Sequence, residues 1–420
     1  MGFVRKPRLR DYWSTNPIYD SKFASSLQIS RDRFFSMLTF LHLNNNDTYI
    51  PRGNPGHDPL YKFRPVFNKL MNDFHTFYIP DEELTVDEGI CGFRGRVHFR
   101  VFIKGKPEKY GMKLFFLCEA TSGYVCMAEV YTGSTDKEGY NSAFSVVDRL
   151  VTPYYNKGHT IYMDRWFTSP KLFDHLWQNG TKAVGTVMPN RREMPKQAFQ
   201  QKLKKGERVS RRREHLLAVK WRDVRDVYIL STKHDDEMIE TEVRGQHQKM
   251  KPVAVAHYNK FKVGVDRCDQ LLSYYSFHRR QLKWWKKLFI HVLDITIVNS
   301  YILYNKTHRN VRLQQYVEEV VEGLTLSAGL STDTDQPATP QESGRLIGRN
   351  HFPYVIPVTP GSKGRRGQRK CKVCAEKVKR TSGGVERKYT TVYCKQCDVP
   401  LCLGECFEAF HSKERYWLVH

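Results

Sequence analysis

The chain has no run of about 18 or more apolar residues, the length that a membrane-spanning helix requires. Its first residues, MGFVRKPRLRDYW, carry no apolar segment behind the basic ones, so they do not form a secretory signal. Gly2 is where a myristoyl group would sit, but Lys6 stands where that motif needs Ser or Thr. On these grounds no membrane partner is expected. Cysteine is sparse over most of the chain: Cys91, Cys118, Cys126 and Cys268 are scattered, while six of the ten lie between Cys371 and Cys406. A secreted disulfide framework would be spread through the fold. A tight cluster of CxxC pairs reads instead as metal ligands in a reducing compartment, which favours the cell interior. Acidic residues are also in short supply, 44 against 68 Lys and Arg, for a formal net charge of +24. So large a surplus repels itself unless a polyanion shares the surface, and nucleic acid is the expected partner.

What is present supports folding: 40% hydrophobic and 13% aromatic residues over 420 positions suffice for two or three domains with cores of their own. Residues 1–82 read as helices and turns. "DRFFSMLTFLHL" places Phe34, Met37, Phe40 and Leu41 on one helix face, and a second helix is expected through "YKFRPVFNKLMNDFHTFY". Residues 83–189 alternate short β-rich runs ("ELTVDEGI", "MKLFFLCEA", "GYVCMAEVYTG", "HTIYMDRWF") with helix candidates ("NSAFSVVDRLVTPYY", "SPKLFDHLWQNG"), a pattern that suits a sheet covered by helices. Residues 190–262 are strongly basic and then strand-like at "HLLAVKW" and "DVYILST", predicting a small β-rich insertion apart from the central sheet. Residues 263–275 return to the core. In 276–326 a long helix is expected, with Trp285, Phe289, Val292 and Thr296 on one face and Arg279, Lys283 and Lys287 as a basic row. Residues 327–370 have linker composition, and the run Arg365, Arg366, Arg369, Lys370 suits a nuclear import signal or a phosphate contact.

Residues 371–420 hold Cys371, Cys374, Cys394, Cys397, Cys402, Cys406, His411 and His420, a ligand supply that matches two tetrahedral Zn sites. So short a segment gains from metal-coupled folding. A cross-braced arrangement would join Cys371 and Cys374 to Cys402 and Cys406, or to His411, and both partitions are open. His420, the last residue, is the weakest of the set. DNA, a histone tail or another protein would each suit such a module.

Among the acids, Asp87 sits in "LTVDEGICGFRGR" and Asp164 in "HTIYMDRWFTS", each at or just past an apolar strand run. Asp266 and Asp269 in "KVGVDRCDQ" share a face if a helix begins there. Carboxylates at strand ends can converge on divalent cations, and Mg suits an all-carboxylate site that faces phosphate. Arg94, Arg96 and Lys113 are the basic groups expected to balance phosphate charge.

Six segments, "RDYWS", "RFFSMLTFLHL", "LTVDEGICGFRGR", "KYGMKLFFLCEATSGY", "YMDRWFTSPKLF" and "VGVDRCDQLLSYYS", resemble in order the characteristic segments of piggyBac-family transposases, over nearly the whole chain. The resemblance implies a multidomain α/β fold. Its ribonuclease H-like catalytic core would take 83–189 and 263–275, interrupted by a basic β-rich insertion domain at 190–262. A flanking, mostly helical dimerisation and DNA-binding domain would take 1–82 and 276–326, followed by the 327–370 linker and a C-terminal cross-braced zinc module at 371–420. It implies that Asp87, Asp164 and Asp266 hold two Mg ions per active site, that Asp269 is a further catalytic acid, and that each chain binds two Zn ions. The implied activity is cut-and-paste DNA transposition in the nucleus: a homodimer binds double-stranded DNA at transposon ends, excises through hairpins and integrates at TTAA. Arg165 stands where the family commonly has Asn, and Cys268 fills a variable position between two acids. The alternative is a catalytically silent, transposase-derived DNA-binding or chromatin-interaction protein whose zinc module contacts a histone peptide.

Overall fold

A computed structural model describes residues 4–19, 29–104, 108–133, 139–243, 246–277, 279–327, 351–357, 367–380, 388–413 and 415–418. The chain divides into two compact units, Met1–Thr332 and Asp333–His420.

In the first unit, α1 (Arg31–Phe40) starts at Ser30, whose hydroxyl accepts the Arg33 amide at 3.2 Å. The helix forms where periodicity predicts it, and half of its expected apolar face packs: Phe34, with Phe35, lies against Trp13 and Leu41 packs on the main core, while Met37 and Phe40 are exposed. Helix α2 (Arg64–Phe77) buries Phe67, Met71 and Phe74. Then come β1 (Glu83–Gly92), β2 (Arg100–Phe102), β3 (Tyr110–Glu119), β4 (Val125–Val130), α3 (Ala143–Val151), β5 (Thr160–Met163), α4 (Pro170–Gln178) and β6 (Lys182–Thr186). Strands β1, β5 and β6 run parallel, with Val86 opposite Met163 and Met163 opposite Gly185.

Residues 190–262 correct the expectation of a separate insertion. After a short helix α5 (Lys196–Phe199), β7 (Arg208–Arg213), β8 (Leu216–Arg222) and β9 (Asp226–Ser231) continue the central sheet, because β9 pairs antiparallel with β6. The nine-stranded sheet has the order β2-β3-β1-β5-β6-β9-β8-β7, with β4 on β3. Six of the seven residues of β8 are buried, and a strand apolar on both faces belongs inside a sheet. Only the hairpin of β10 (Met238–Val243) and β11 (Gln246–Pro252) stands apart. Part of the local positive charge is paired at the surface: Arg208, Arg212 and Arg213 meet Asp236, Asp235 and Asp174.

Helices α6 (Val253–Phe261), α7 (Gly264–Tyr274), α8 (Trp284–Thr307) and α9 (Leu313–Ser327) complete this unit. One apolar cluster gathers α2, α3, α4 and α8 with the sheet; a second holds Tyr162, Val184, Val219 and Trp221 under Val255 and Tyr258 of α6. Helix α8 is long and apolar enough to cross a bilayer, yet Leu288, Val292, Ile295 and Val298 are core residues. Its predicted basic row is not one wet face: Lys283, the N-cap, is exposed, but the other two are not free at its surface. Arg279 precedes the helix and donates to the Lys6 carbonyl at 2.8 Å and to the Tyr12 hydroxyl, while Lys287 is buried.

In the second unit, β12 (Pro353–Val355), β15 (Val392–Cys394) and β16 (Val399–Pro400) form a three-stranded sheet, and β13 (Arg369–Lys370) pairs with β14 (Tyr389–Thr390). Helices α10 (Lys372–Arg380) and α11 (Glu405–Ser412) pack on each other, and Val373 and Phe410 from them share a small buried cluster with Cys394 of β15. Residues 353–355 and 369–370, assigned by composition to the linker, are therefore strands of this unit.

Asn299 of α8 is almost wholly buried and treats β4 as a neighbouring strand would: its carboxamide accepts from the Val125 amide at 2.9 Å and donates to the Val125 carbonyl at 3.0 Å. Asn299→Leu leaves both backbone groups buried without partners and should cost about 2–4 kcal/mol of stability, read as a lower denaturant midpoint.

Candidate active site and metal centres

The register of the parallel strands builds the acidic site. Asp87 follows Val86 and Asp164 follows Met163, so the two carboxylates occupy equivalent positions, Asp87 midway along β1 where its pairing with β5 stops and Asp164 just past the C-terminal end of β5. Thr186 follows Gly185 and extends the row onto β6. The open ends of parallel strands are where α/β sheets place functional groups. Thr85, Asp87 and Gly89 share one face of β1 by the strand period, and helices α6 and α7 lie on that face. The Thr85 hydroxyl donates to the Phe261 carbonyl at 2.6 Å.

Helix α7 needs glycine to come this close. A Cβ on Gly264 would sit 3.0 Å from both Thr85 Oγ1 and the Glu119 carbonyl oxygen. Three residues past Asp266, the Asp269 Oδ1 lies 3.6 Å from where a Cβ on Gly89 would be. Asp87 thus falls between two contact points of the helix that carries Asp266 and Asp269. Asp266 is exposed; Asp87, Asp164 and Asp269 are half-buried.

Asp164 is held by its own loop. The Trp166 amide donates to its Oδ1 at 2.8 Å and the Phe167 amide to the same oxygen at 3.4 Å. The Glu88 amide does the same for Asp87 Oδ1 at 2.8 Å. Tyr258 of α6 reaches the row, its hydroxyl 3.3 Å from Thr186 Oγ1. Burial raises the Tyr258 pKa above the usual phenol value, and the fields of Asp164 and Asp87 add to that. The phenol therefore stays protonated beside the acids.

Of the expected phosphate contacts, Lys113 is placed otherwise. Its ammonium lies 4.5, 5.0 and 5.2 Å from the ring centroids of Phe115, Tyr131 and Trp166. Burial pushes its pKa down, with Glu88 opposing. Arg94 lines a cleft of about 930 Å³ together with Arg5, Arg279, Arg280 and Lys287, and Asp269 also lines that cleft.

The second unit gathers two sets of four potential ligands, each set with its ligand atoms within 4.8 Å of one another. Cys371, Cys374, Cys402 and Cys406 form one, with the Cys374 and Cys406 sulfurs 3.7 Å apart. Cys394, Cys397, His411 and His351 form the other: Cys394 and Cys397 Sγ lie 3.6 and 3.4 Å from His351 Nδ1, and Cys397 Sγ lies 3.6 Å from His411 Nε2. The sets interleave along the chain, which is the cross-braced pattern. His411 Nδ1 sits 2.8 Å from the Phe407 carbonyl oxygen, which turns Nε2 toward the sulfurs. His351 lay outside the sequence-predicted set, and His420 lies outside the described residues. Asp87 and Asp164 are aligned by register, Asp266 lies on the helix docked over β1, and the three are not one of these tight sets among the described residues.

A family profile described as "Transposase IS4" matches residues 1–301, and one described as a "DDE_Tnp_1-like zinc finger" matches residues 361–412. The human PiggyBac transposable element-derived protein 3 is 26% identical over 98% of the chain. The chain belongs to the piggyBac family of transposases. It spans 68% of that relative and 53% of the human PiggyBac transposable element-derived protein 2, which is 27% identical over 72% of the chain. A solved piggyBac transposase synaptic complex with hairpin DNA superposes with a TM-score of 0.67 at 25% identity, covering 94% of this chain and 84% of that one.

In this piggyBac-family chain, residue spacing did not point to Thr186, Tyr258 or His351. Each acts through a partner distant in sequence, and His351 is separated from the cysteines by a stretch of linker composition. Gly264→Ala should push the first turn of α7 off β1 and β3, costing about 1–3 kcal/mol in the denaturant midpoint.

Proposed function

We propose that this chain is a cut-and-paste DNA transposase that works as a nuclear homodimer, binds terminal repeats, excises through hairpinned ends and integrates at TTAA. The observation that carries the reading is the alignment of Asp87, in the middle of β1, with Asp164, just past the end of the neighbouring parallel strand β5, under the helix that bears Asp266 and Asp269. An all-oxygen donor set of this kind fits Mg, with Asp87, Asp164 and Asp266 as the holding residues and Asp269 beside them. When bound, two Mg ions per site would supply Lewis acidity to the scissile phosphate and to the attacking oxygen. The side chains supply position: the loop amides fix one oxygen of Asp164, and Tyr258 and Thr186 line the row. The arginine-lined cleft that reaches Asp269 suits a phosphodiester strand.

In the first step water attacks the phosphodiester at the transposon end; an O–P bond forms and the P–O3′ bond breaks, freeing a 3′-hydroxyl. That hydroxyl attacks the opposite strand to close the hairpin, water then hydrolyses the hairpin and frees the 3′-hydroxyl again, and this hydroxyl attacks TTAA target DNA. The two attacks by the 3′-hydroxyl each make one phosphodiester for the one they break and release a 3′-hydroxyl; the two hydrolyses break a phosphodiester and leave a 5′-phosphate.

The Cys/His sets fit structural zinc, four soft or borderline ligands each and no open position. We assign two Zn ions per chain. Metal analysis of the purified chain should find two equivalents, and His351→Ala should lower this to about one.

Incubation with Mg and DNA carrying the chain's own terminal repeats at TTAA junctions should give nicked and hairpin products. Asp164→Asn should lower the cleavage rate by at least about 1,000-fold with end binding intact. Specific end binding by the wild-type chain without product would establish instead the silent DNA-binding derivative.

A further inference from the structure

The loop that follows Asp164 is tied down by a residue from another part of the chain. Arg191 lies beyond β6, in a segment rich in Arg and Lys, where a phosphate contact would be the first thought. Its guanidinium points into the protein. Nε donates to the Thr168 carbonyl at 3.1 Å, and Nη2 donates to the carbonyls of Arg165 at 3.0 Å and Trp166 at 2.6 Å. Trp166 is the centre of the arrangement. Its amide holds Asp164 Oδ1 at 2.8 Å, its carbonyl accepts from Arg191, and its ring stacks on Phe115 at 5.9 Å with 6° between planes. Lys113 lies over both rings. The far end of the loop is closed by Thr168, whose hydroxyl donates to the Asp164 carbonyl at 2.8 Å, and Phe167 between them is core.

We infer that Arg191 is a positioning residue: by gripping the carbonyls of residues 165, 166 and 168 it holds the Trp166 amide on Asp164 Oδ1 and thereby sets the direction of the carboxylate's second oxygen toward a divalent cation. This rests on the metal-dependent reading above. A planar guanidinium can satisfy three carbonyls with two of its nitrogens, whereas the single ammonium of lysine cannot reproduce that fork. Charge and geometry are therefore separable. Groups that orient a metal ligand typically change affinity or activity by about 10- to 100-fold when removed.

The test is Mn²⁺ titration, followed by the electron paramagnetic resonance of free Mn²⁺, on the full zinc-loaded chain and its Asp164→Asn, Arg191→Lys and Arg191→Met variants. Binding of terminal-repeat DNA without divalent metal is measured in parallel. Both Arg191 variants should weaken Mn²⁺ binding by about 10-fold or more, keep DNA affinity within about twofold, and regain cleavage as Mn²⁺ is raised. Unchanged Mn²⁺ affinity in Arg191→Lys would show that charge alone suffices and would sink the clamp. Lost DNA affinity with normal Mn²⁺ binding would make Arg191 a phosphate contact, with the same result. If Asp164→Asn leaves Mn²⁺ binding untouched, the metal reading itself fails along with the clamp; if only the Arg191 variants behave like wild type, the clamp fails alone. Should Arg191→Met lose its cooperative thermal transition, the conservative Arg191→Lys decides.

Discussion

Parallel pairing of β1, β5 and β6 is the constraint on which the acidic edge depends. With Val86 opposite Met163 and Met163 opposite Gly185, the next residues on the three strands are Asp87, Asp164 and Thr186, side by side. A slip of one position would turn either aspartate to the other face of the sheet. It would also turn the buried residues of these strands out of the apolar clusters they now fill, so the packing that stabilises the fold also enforces the register.

Around this row the chain brings helices closer than side chains normally allow. Gly264 admits the first turn of α7 against Thr85 and the Glu119 carbonyl, and Gly89 leaves room near Asp269. The basic surplus is divided by the same packing. Arg208, Arg212 and Arg213 are absorbed by carboxylates, Lys113 by aromatic rings, and Arg191 by carbonyls of the Asp164 loop. Arg5, Arg94 and Arg280 line the cleft that reaches Asp269. Net charge thus announces a polyanionic partner without saying which cations meet it.

The C-terminal unit answers to a different constraint. Its buried cluster is small, Cys371, Val373, Cys394, Leu401 and Phe410, and two of the five are potential metal ligands. A core of that size is thin support for a separate unit. The interleaved Cys/His sets would let the proposed zinc ions cross-link β12, the CxxC turns and α11.

The family, the mixed α/β core, the strands that carry Asp87 and Asp164 and the helix that carries Asp266 and Asp269 were all legible in the sequence, because each rests on local periodicity or on ordered motifs. CxxC spacing likewise exposed most of the Cys/His sets, since two sulfurs from one turn are a local fact. Other features waited for the tertiary structure. The strands after residue 190 were expected to form an insertion, yet they join the central sheet, since a strand's partner is chosen by the free edge of β6 and not by its own composition. Met37 and Phe40 stay exposed although Phe34 and Leu41 of the same helix face pack, and Lys287 is buried despite its place in an apparent basic row. His351, Thr186, Tyr258 and Arg191 reach their partners only through contacts that span the fold. Sequence by itself determined which chemistry the chain can carry, because residue type and local period travel with the chain. Tertiary structure alone decided which groups meet, because strand pairing and helix docking are set by packing among segments far apart in sequence.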